Sequence, residues 1–475
     1  MLTLGYFFKI LAGVETTGNT PAVSCVVVDS HEAVPGSVFV ALPGEKVDGH
    51  QYIADAFARG AIAALVEQEQ PNFPTWDLRQ PHTWGDIRSI TPPVCILVEN
   101  TVKAMQDVAQ AWREQFDTKV IGITGSVGKT STKELTHSVL SQRFNTLKSP
   151  GNRNSILGLP PVLLNLAAEH EYAVFEMGMY TTREIARLCA IAKPIIGVVT
   201  MIGPVHLARA GSMEAIVAAK QELVEALPAD GVAILNKDNA YTMSMAPHTK
   251  ARVFTYGLNP NADLWADNIE SMGLEGVRFT LHQEHEALNV QVPLIGQHSV
   301  HTSLRAAAVG LATGLSWEEI ITGLSSSQIQ LRLVAVSGPN DSTIIDDTYN
   351  SSPDSAMAAL NLLSDLNGRH VAVMGDMLEL GFMEEEGHRF IGRRVADVAQ
   401  ILVAMGSRAR WIADEAMKVG MPARQVFLVD DVETAVSTLH DLIQPRDIIL
   451  VKGSLGMNMG QIVSALTTEP VGGEA

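Results

Sequence analysis

The sequence predicts an α/β protein of three domains built on mostly parallel sheets. Three observations lead there. Short apolar runs alternate with helix-like segments almost from end to end, the pattern of parallel strands covered by helices. The chain is 475 residues long, enough for about three ordinary domains. A glycine-rich stretch, G-I-T-G-S-V-G-K-T-S at residues 122–131, follows an apolar run and precedes a helix-like one.

Composition narrows the class. Apolar residues make up 46 % and charged residues 18 %, so sizeable cores are affordable and global disorder is not expected. Against 34 Lys and Arg stand 52 Asp and Glu, a net charge of −18. Such a surface argues against general nucleic-acid or anionic-membrane binding, while leaving room for a local basic cleft. Cys25, Cys95 and Cys189 are far apart with no metal-type spacing and read as reduced core residues of a cytosolic protein. The stretch MLTLGYFFKILAGVE carries its lysine in the middle, which is not the layout of a signal peptide. No run approaches the roughly 18 apolar residues of a membrane span. The expectation is a soluble, cytoplasmic protein.

Taken in order, the first domain (1–116) has strand candidates at 25–28, 38–41, 61–66 and 95–98 and a helix at 101–116. The polar stretch 70–93, punctuated by Trp and Pro, reads as a loop inside it. The second domain (117–327) opens with the glycine-rich loop and a helix over 131–140. Strands at 173–175, 195–199 and 232–235 follow, then antiparallel strands within 251–294 and a helix at 299–313. The serines at 325–327 read as a hinge. The third domain (328–475) has strand candidates at 343–345, 371–374, 401–404, 426–429 and 448–451.

The loop carries the chemistry. Backbone N–H groups in a glycine-rich turn at a helix N-terminus bind phosphate through aligned dipoles and unpaired donors. Gly125 and Gly128 allow close backbone approach, with Ser126 and Ser131 in the same cradle. Lys129 neutralises β- and γ-phosphates, and the Thr130 hydroxyl reaches a magnesium ion. The first glycine of the strict pattern is replaced by Ile123. Just past the carboxyl ends of neighbouring strands stand Glu176, His206, Asn236 and Asp238, on the edge where open α/β sheets bind ligands. A carboxylate and an imidazole there can hold magnesium around phosphates. Singly, each of these reads as structural; their shared edge beside a phosphate loop favours a site.

At this point the residues resemble the Mur ligases of peptidoglycan synthesis, over nearly the whole chain. The stretch 29–66, which opens D-S-H-E-A-V-P-G-S-V-F-V-A-L-P-G, resembles the family's uridine-nucleotide-binding module. T-G-S-V-G-K-T-S-T-K-E, S-P-G-N-R-N-S-I-L-G-L-P, F-E-M-G-M, V-H-L-A-R-A-G-S and A-A-K-Q-E-L follow in the family's order. D-D-T-Y-N-S-S-P-D-S, G-D-M-L-E-L-G and L-V-K-G-S look like the branch that adds D-alanyl-D-alanine. The resemblance implies a uridine-nucleotide-binding first domain, a P-loop ATPase-type central domain and a Rossmann-like third. It implies a monomer that uses ATP and two Mg2+ ions to join D-Ala-D-Ala to UDP-MurNAc-tripeptide through an acyl phosphate.

The resemblance also implies roles. Lys129 acts on the β/γ-phosphates; Thr130 and Glu176 bind one magnesium and His206 the second; Lys220 is carbamylated at that second metal. Asn152 lies beside the metals and the peptide. Arg332 reaches toward ATP, Asp347 holds its ribose, and Ser30 lies near the uridine nucleotide. There are departures. The family's adenine-side H-N-x-x-N reads His298-Ser299-Val300-His301-Thr302, with hydroxyls for both amides, which predicts relaxed base discrimination. The usual D-S-R and P-G-R read Asp29-Ser30-His31 and Gln330-Leu331-Arg332, and K-G-S is followed by Leu455 rather than by an arginine. Two other readings stay open: a Mur-type ligase for a different amino acid or carboxylate, and a non-catalytic nucleotide-binding P-loop protein.

Overall fold

The computed structural model describes residues 1–16, 20–44, 48–79, 90–204, 211–326 and 334–467. The first sheet contains β1 (Val26–Val27), β2 (Val38–Val40), β3 (Ala63–Val66), β4 (Thr75–Asp77) and β5 (Val94–Leu97). They lie in the order β1-β2-β3-β5-β4, all parallel. Their runs V-V, V-F-V, A-A-L-V and V-C-I-L are buried throughout, as strands covered on both faces must be. Strand β4 corrects the expectation of a loop over 70–93. Its three residues are too few for a periodic signal, and Trp76 is held edge-on by Phe8 with ring centroids 5.5 Å apart.

The helix Thr101–Arg113, capped by the Asn100 side chain, joins this layer to the next. Its Trp112 indole donates to the Leu166 carbonyl at 3.1 Å, and the Arg113 guanidinium donates to the carbonyls of Ala192, Phe116 and Thr118. One apolar core therefore runs from Phe7 and Phe8 through Val108 to Leu163 and Phe175.

The central sheet contains β6 (Lys119–Thr124), β7 (Thr146–Lys148), β8 (Tyr172–Glu176), β9 (Pro194–Val199), β10 (Val232–Asn236), β11 (Arg252–Gly257), β12 (Leu264–Ser271), β13 (Val277–Gln283) and β14 (Glu286–Val292). Their order is β14-β13-β12-β11-β10-β9-β6-β8-β7. Strand β6 lies between β8 and β9; the connection from β6 runs to β7 on one side and that from β9 to β10 on the other, so a crevice opens between their carboxyl ends. The expectation of antiparallel strands across 251–294 is met only by β12, β13 and β14; β11 is parallel to both neighbours. The reason is local. The Asp263 carboxylate accepts from the Thr255 amide and hydroxyl, each at 2.7 Å, so the chain re-enters beside the end of β11 in the same direction.

The third sheet contains β15 (Val334–Ser337), β16 (Thr343–Asp347), β17 (His370–Gly375), β18 (Ile401–Met405), β19 (Val426–Val429) and β20 (Ile448–Lys452). The order is β15-β16-β20-β17-β18-β19, parallel except for β15. Separate apolar clusters cover its two faces, the doubly wound arrangement expected. The three cysteines are free thiols; Cys95 and Cys189 are buried, and burial pushes both up to about 12. Cys25 is only half-buried rather than a core residue. No helix among the described residues is long and apolar enough to cross a membrane.

Candidate active site

The phosphate loop is fixed from behind. Gly125 has φ +143°, and a Cβ there would meet Thr200 Oγ1 at 1.9 Å, so no other residue fits. Thr200 uses that hydroxyl to hold the Val127 carbonyl at 2.6 Å, while Ser126 Oγ donates to the Gly203 carbonyl at 2.9 Å. Gly128, at φ +83°, opens the helix Lys129–Leu140; this helix starts two residues earlier than the sequence suggests. Ser131 stands in its first turn and faces the cavity.

Lys129 Nζ donates to the Gly125 carbonyl at 2.9 Å and to that of Ser126 at 3.2 Å. Lys220, on the helix Met213–Glu225, reaches the same Gly125 carbonyl at 3.0 Å and is only 3 % exposed. Burial, and then the charge of Lys129, hold the Lys220 ammonium well below the ordinary lysine range. A neutral amine is thus within reach at this position.

Glu176 ends β8 and is 1 % exposed. One carboxylate oxygen accepts from Thr130 Oγ1 at 2.6 Å and the other from Asn154 Nδ2 at 2.8 Å. A carboxylate and a hydroxyl facing a phosphate loop are the hard oxygen donors that magnesium takes, with phosphate oxygens and water filling its shell. Among the described residues there is no ready-made group of three or more His, Cys, Asp or Glu to hold a metal. His206, Leu331 and Arg332 lie outside the described residues.

Lys133 was not singled out from the sequence. Fully buried, it donates to the carbonyls of Ser149 and Gly151, both at 2.7 Å, and so shapes the turn that brings Asn152 to the cavity wall. The available signal was its place four residues after Lys129, on the same helix face. Beside Asn152, Arg153 pairs with Glu32 at 2.6 Å, tying this turn to the one that contains Ser30. Ser30 itself is 4 % exposed and does not line the cavity.

The cavity, about 700 Å³, is walled by both the central and third sheets' loops. Opposite Lys129 and Thr130 stand Asp347, Lys452 and the exposed Leu455. Asp347 ends β16, and its carboxylate pairs with the buried Lys452 at 2.6 Å. Lys452 also donates to the Asn350 carbonyl at 2.9 Å. Its signal was its position at the end of a strand-like run, I-I-L-V-K.

At the far end the helix Ser299–Ala312 begins. Ser299 Oγ donates to the Ile295 carbonyl at 2.9 Å, and Thr302 Oγ1 accepts from Arg305 Nη2 at 2.8 Å. Both hydroxyls in the expected base-reading positions are thus engaged locally, Ser299 with the segment before the helix and Thr302 with Arg305. His301 Nε2 meets Asp238 at 2.9 Å. Burial alone would raise the Asp238 carboxyl, but His301 and the amides of Leu258 and Asn259 outweigh it and hold it below the usual range. His298 is open to the cavity yet walled in by protein. That enclosure, with the positive charges of Lys452 and Arg305, pushes its imidazolium down to about 4. Asn236 donates to the Thr200 carbonyl at 3.3 Å and so braces the loop's support.

Comparison with known proteins gives three family matches in chain order. They are the Mur ligase family catalytic domain over residues 22–76, the Mur ligase middle domain over 123–310 and the Mur ligase glutamate ligase domain over 331–455. A UDP-N-acetylmuramoyl-tripeptide–D-alanyl-D-alanine ligase from Synechocystis is 34 % identical over 94 % of this chain and 92 % of its own. The crystal structure of MurF from Acinetobacter baumannii superposes with a TM-score of 0.82 at 31 % identity, covering 98 % of this chain and 99 % of that one. MurF ligase from Thermotoga maritima in complex with ADP superposes with a TM-score of 0.76 at 25 % identity, covering 94 % and 97 %.

Proposed function

This chain belongs to the Mur ligase family, and we propose that it joins D-alanyl-D-alanine to UDP-N-acetylmuramoyl-tripeptide at the expense of ATP, in peptidoglycan precursor synthesis. The observation that carries the reading is a single cavity lined by Lys129, Thr130, Glu176 and Lys220 on one side and by Asp347 and Lys452 on the other. Relatives of this name that match nearly the whole chain support the substrate pair, and the ADP-bound neighbour supports the nucleotide.

A carboxylate is a poor electrophile at neutral pH. Its oxygen bonds to the γ-phosphorus of ATP as the bond to the β–γ bridging oxygen breaks, giving an acyl phosphate and ADP. The dipeptide's amine nitrogen then bonds to the acyl carbon and loses a proton, and the carbon–oxygen bond to phosphate breaks. The protein's task is alignment and charge neutralisation.

Lys129 leaves the loop carbonyls for the β/γ-phosphates, and the loop amides hold the rest of the chain of phosphates. Magnesium would be held by Thr130 and Glu176, with His206 and a carbamylated Lys220 at a second site, and would neutralise charge on the transferring phosphoryl group. Asn152 orients the peptide carboxylate, Asp347 holds the ribose, and Arg332 serves the nucleotide. Ser30 serves the uridine end in the first domain. The two-sided cavity keeps water from the acyl phosphate.

Working domain limits of 1–116, 117–327 and 328–475, a cytoplasmic location and a monomeric state belong to the same proposal. The test is direct. ATP, UDP-MurNAc-tripeptide and D-Ala-D-Ala are incubated with the protein, and phosphate release is followed alongside product mass. One phosphate per product heavier by the dipeptide less water is expected. ATP hydrolysis without that product, or a product only with another acceptor, would overturn the assignment.

A further inference from the structure

Arg305 lies on the helix Ser299–Ala312, lines the cavity and is 4 % exposed. Among the described residues it has no carboxylate partner, and it donates to Thr302 Oγ1 at 2.8 Å and, weakly, to the Tyr256 hydroxyl at 3.5 Å. Its Nε is buried with no partner at all. The nearby Asp238 is occupied by His301 and two backbone amides. The Tyr256 ring lies under the guanidinium, 5.8 Å from its central carbon, but a buried cation with no counter-charge is still unfavourable unless a ligand completes it. Position says which ligand. The guanidinium holds Thr302 through Nη2, on the side expected to receive the base. The same nitrogen, Nη2, also lies against the phosphate loop, where a Cβ on Gly128 would sit 3.0 Å from it. What lies between a base and a phosphate loop is the phosphate next to the nucleoside.

We propose that Arg305 is a nucleotide-binding residue that pairs with the α-phosphate of ATP. The assignment rests on the ATP-dependent reading above. It is independent of the loop pattern, because Arg305 is more than 170 residues away in sequence and belongs to the base-side helix. Lys452 and Arg305 both act on His298 as positive charges, although Lys452 is paired with Asp347. A guanidinium also offers the planar fork that suits a phosphate.

The experiment measures binding of ADP, AMP and adenosine to the full chain, without UDP-substrate, for the wild type and for R305M, R305Q and R305K. The melting temperature of each unliganded protein is followed in parallel. Loss of one charge-assisted hydrogen bond should weaken ADP and AMP by about tenfold or more. Adenosine should change less than about twofold, and R305K should fall between. With its unpaired charge removed, unliganded R305M should melt no lower than the wild type. Should R305M fail to fold, R305Q and R305K give the same comparison. Equal weakening of adenosine and AMP would mean that the guanidinium reads the nucleoside or merely supports the fold, and unchanged AMP affinity would mean that it faces no phosphate; either overturns the assignment. A wild type that binds ADP but makes no dipeptide product would overturn the ligase reading and leave this one standing.

Discussion

The two ends of the cavity are built by different means. At the phosphate end, Gly125, Gly128, Lys129, Thr130 and Lys133 lie within one strand–turn–helix, so spacing along the chain is nearly spacing in space. At the base end, His298, Thr302 and Arg305 come from one helix, Asp238 from the loop after β10, Tyr256 from β11 and Lys452 from β20. The first end tolerates little change because its backbone is the ligand. The second is an assembly of side chains and can be rewired, as the hydroxyls at Ser299 and Thr302 show.

The largest effect should come from Lys129→Ala. Losing one charge from a preorganised phosphate site costs about 3 kcal/mol or more of transition-state stabilisation, so turnover should fall at least about a hundredfold while circular dichroism and melting stay near wild type. Retained phosphate release would remove the loop from the mechanism. Gly125→Ala should be comparably damaging by another route. The new Cβ collides with Thr200 Oγ1 at 1.9 Å and the φ of +143° is unsuited to alanine, so nucleotide binding and melting temperature should fall together. A variant with wild-type affinity for ADP would show that the loop can rebuild itself.

Lys220→Ala comes next. Because burial and Lys129 hold the ammonium well below the usual range, the neutral amine needed for carbamylation is easier to form here than on an exposed lysine. Lowering the pH protonates it and should remove activity, and so should stripping CO2 from the buffer, with bicarbonate restoring it. Acetate should partly rescue the alanine variant by supplying an oxygen anion. Full activity in that variant, or indifference to CO2, would argue for a plain structural lysine.

The smallest effect tests the base end. With Ser299 engaged by Ile295 and Thr302 by Arg305, GTP should support a measurable fraction of the ATP rate, whereas an amide pair matched to adenine would reject it strongly. His298 stays neutral above about pH 5, since its imidazolium is pushed down to about 4. Nucleotide affinity should therefore not change through pH 6 to 7 on its account. Selectivity for ATP of several hundredfold would mean that other groups read adenine.

The sequence by itself determined the three-domain α/β organisation, the glycine-rich strand–turn–helix, the strand-end position of Glu176 and the helix that carries Lys220. Each is a matter of periodicity or of a few adjacent residues, and local sterics and hydrogen bonding enforce them. Only the tertiary structure decided what meets across the chain. Lys220 and Lys129 share the Gly125 carbonyl, Lys452 pairs with Asp347, and Arg305 comes under Gly128. It also made β11 parallel, through Asp263, and turned Thr75–Asp77 into an edge strand packed on Phe8. These depend on sheet order and on contacts between residues distant in sequence. A buried charge takes its meaning from such neighbours, because desolvation and Coulomb interaction act through space.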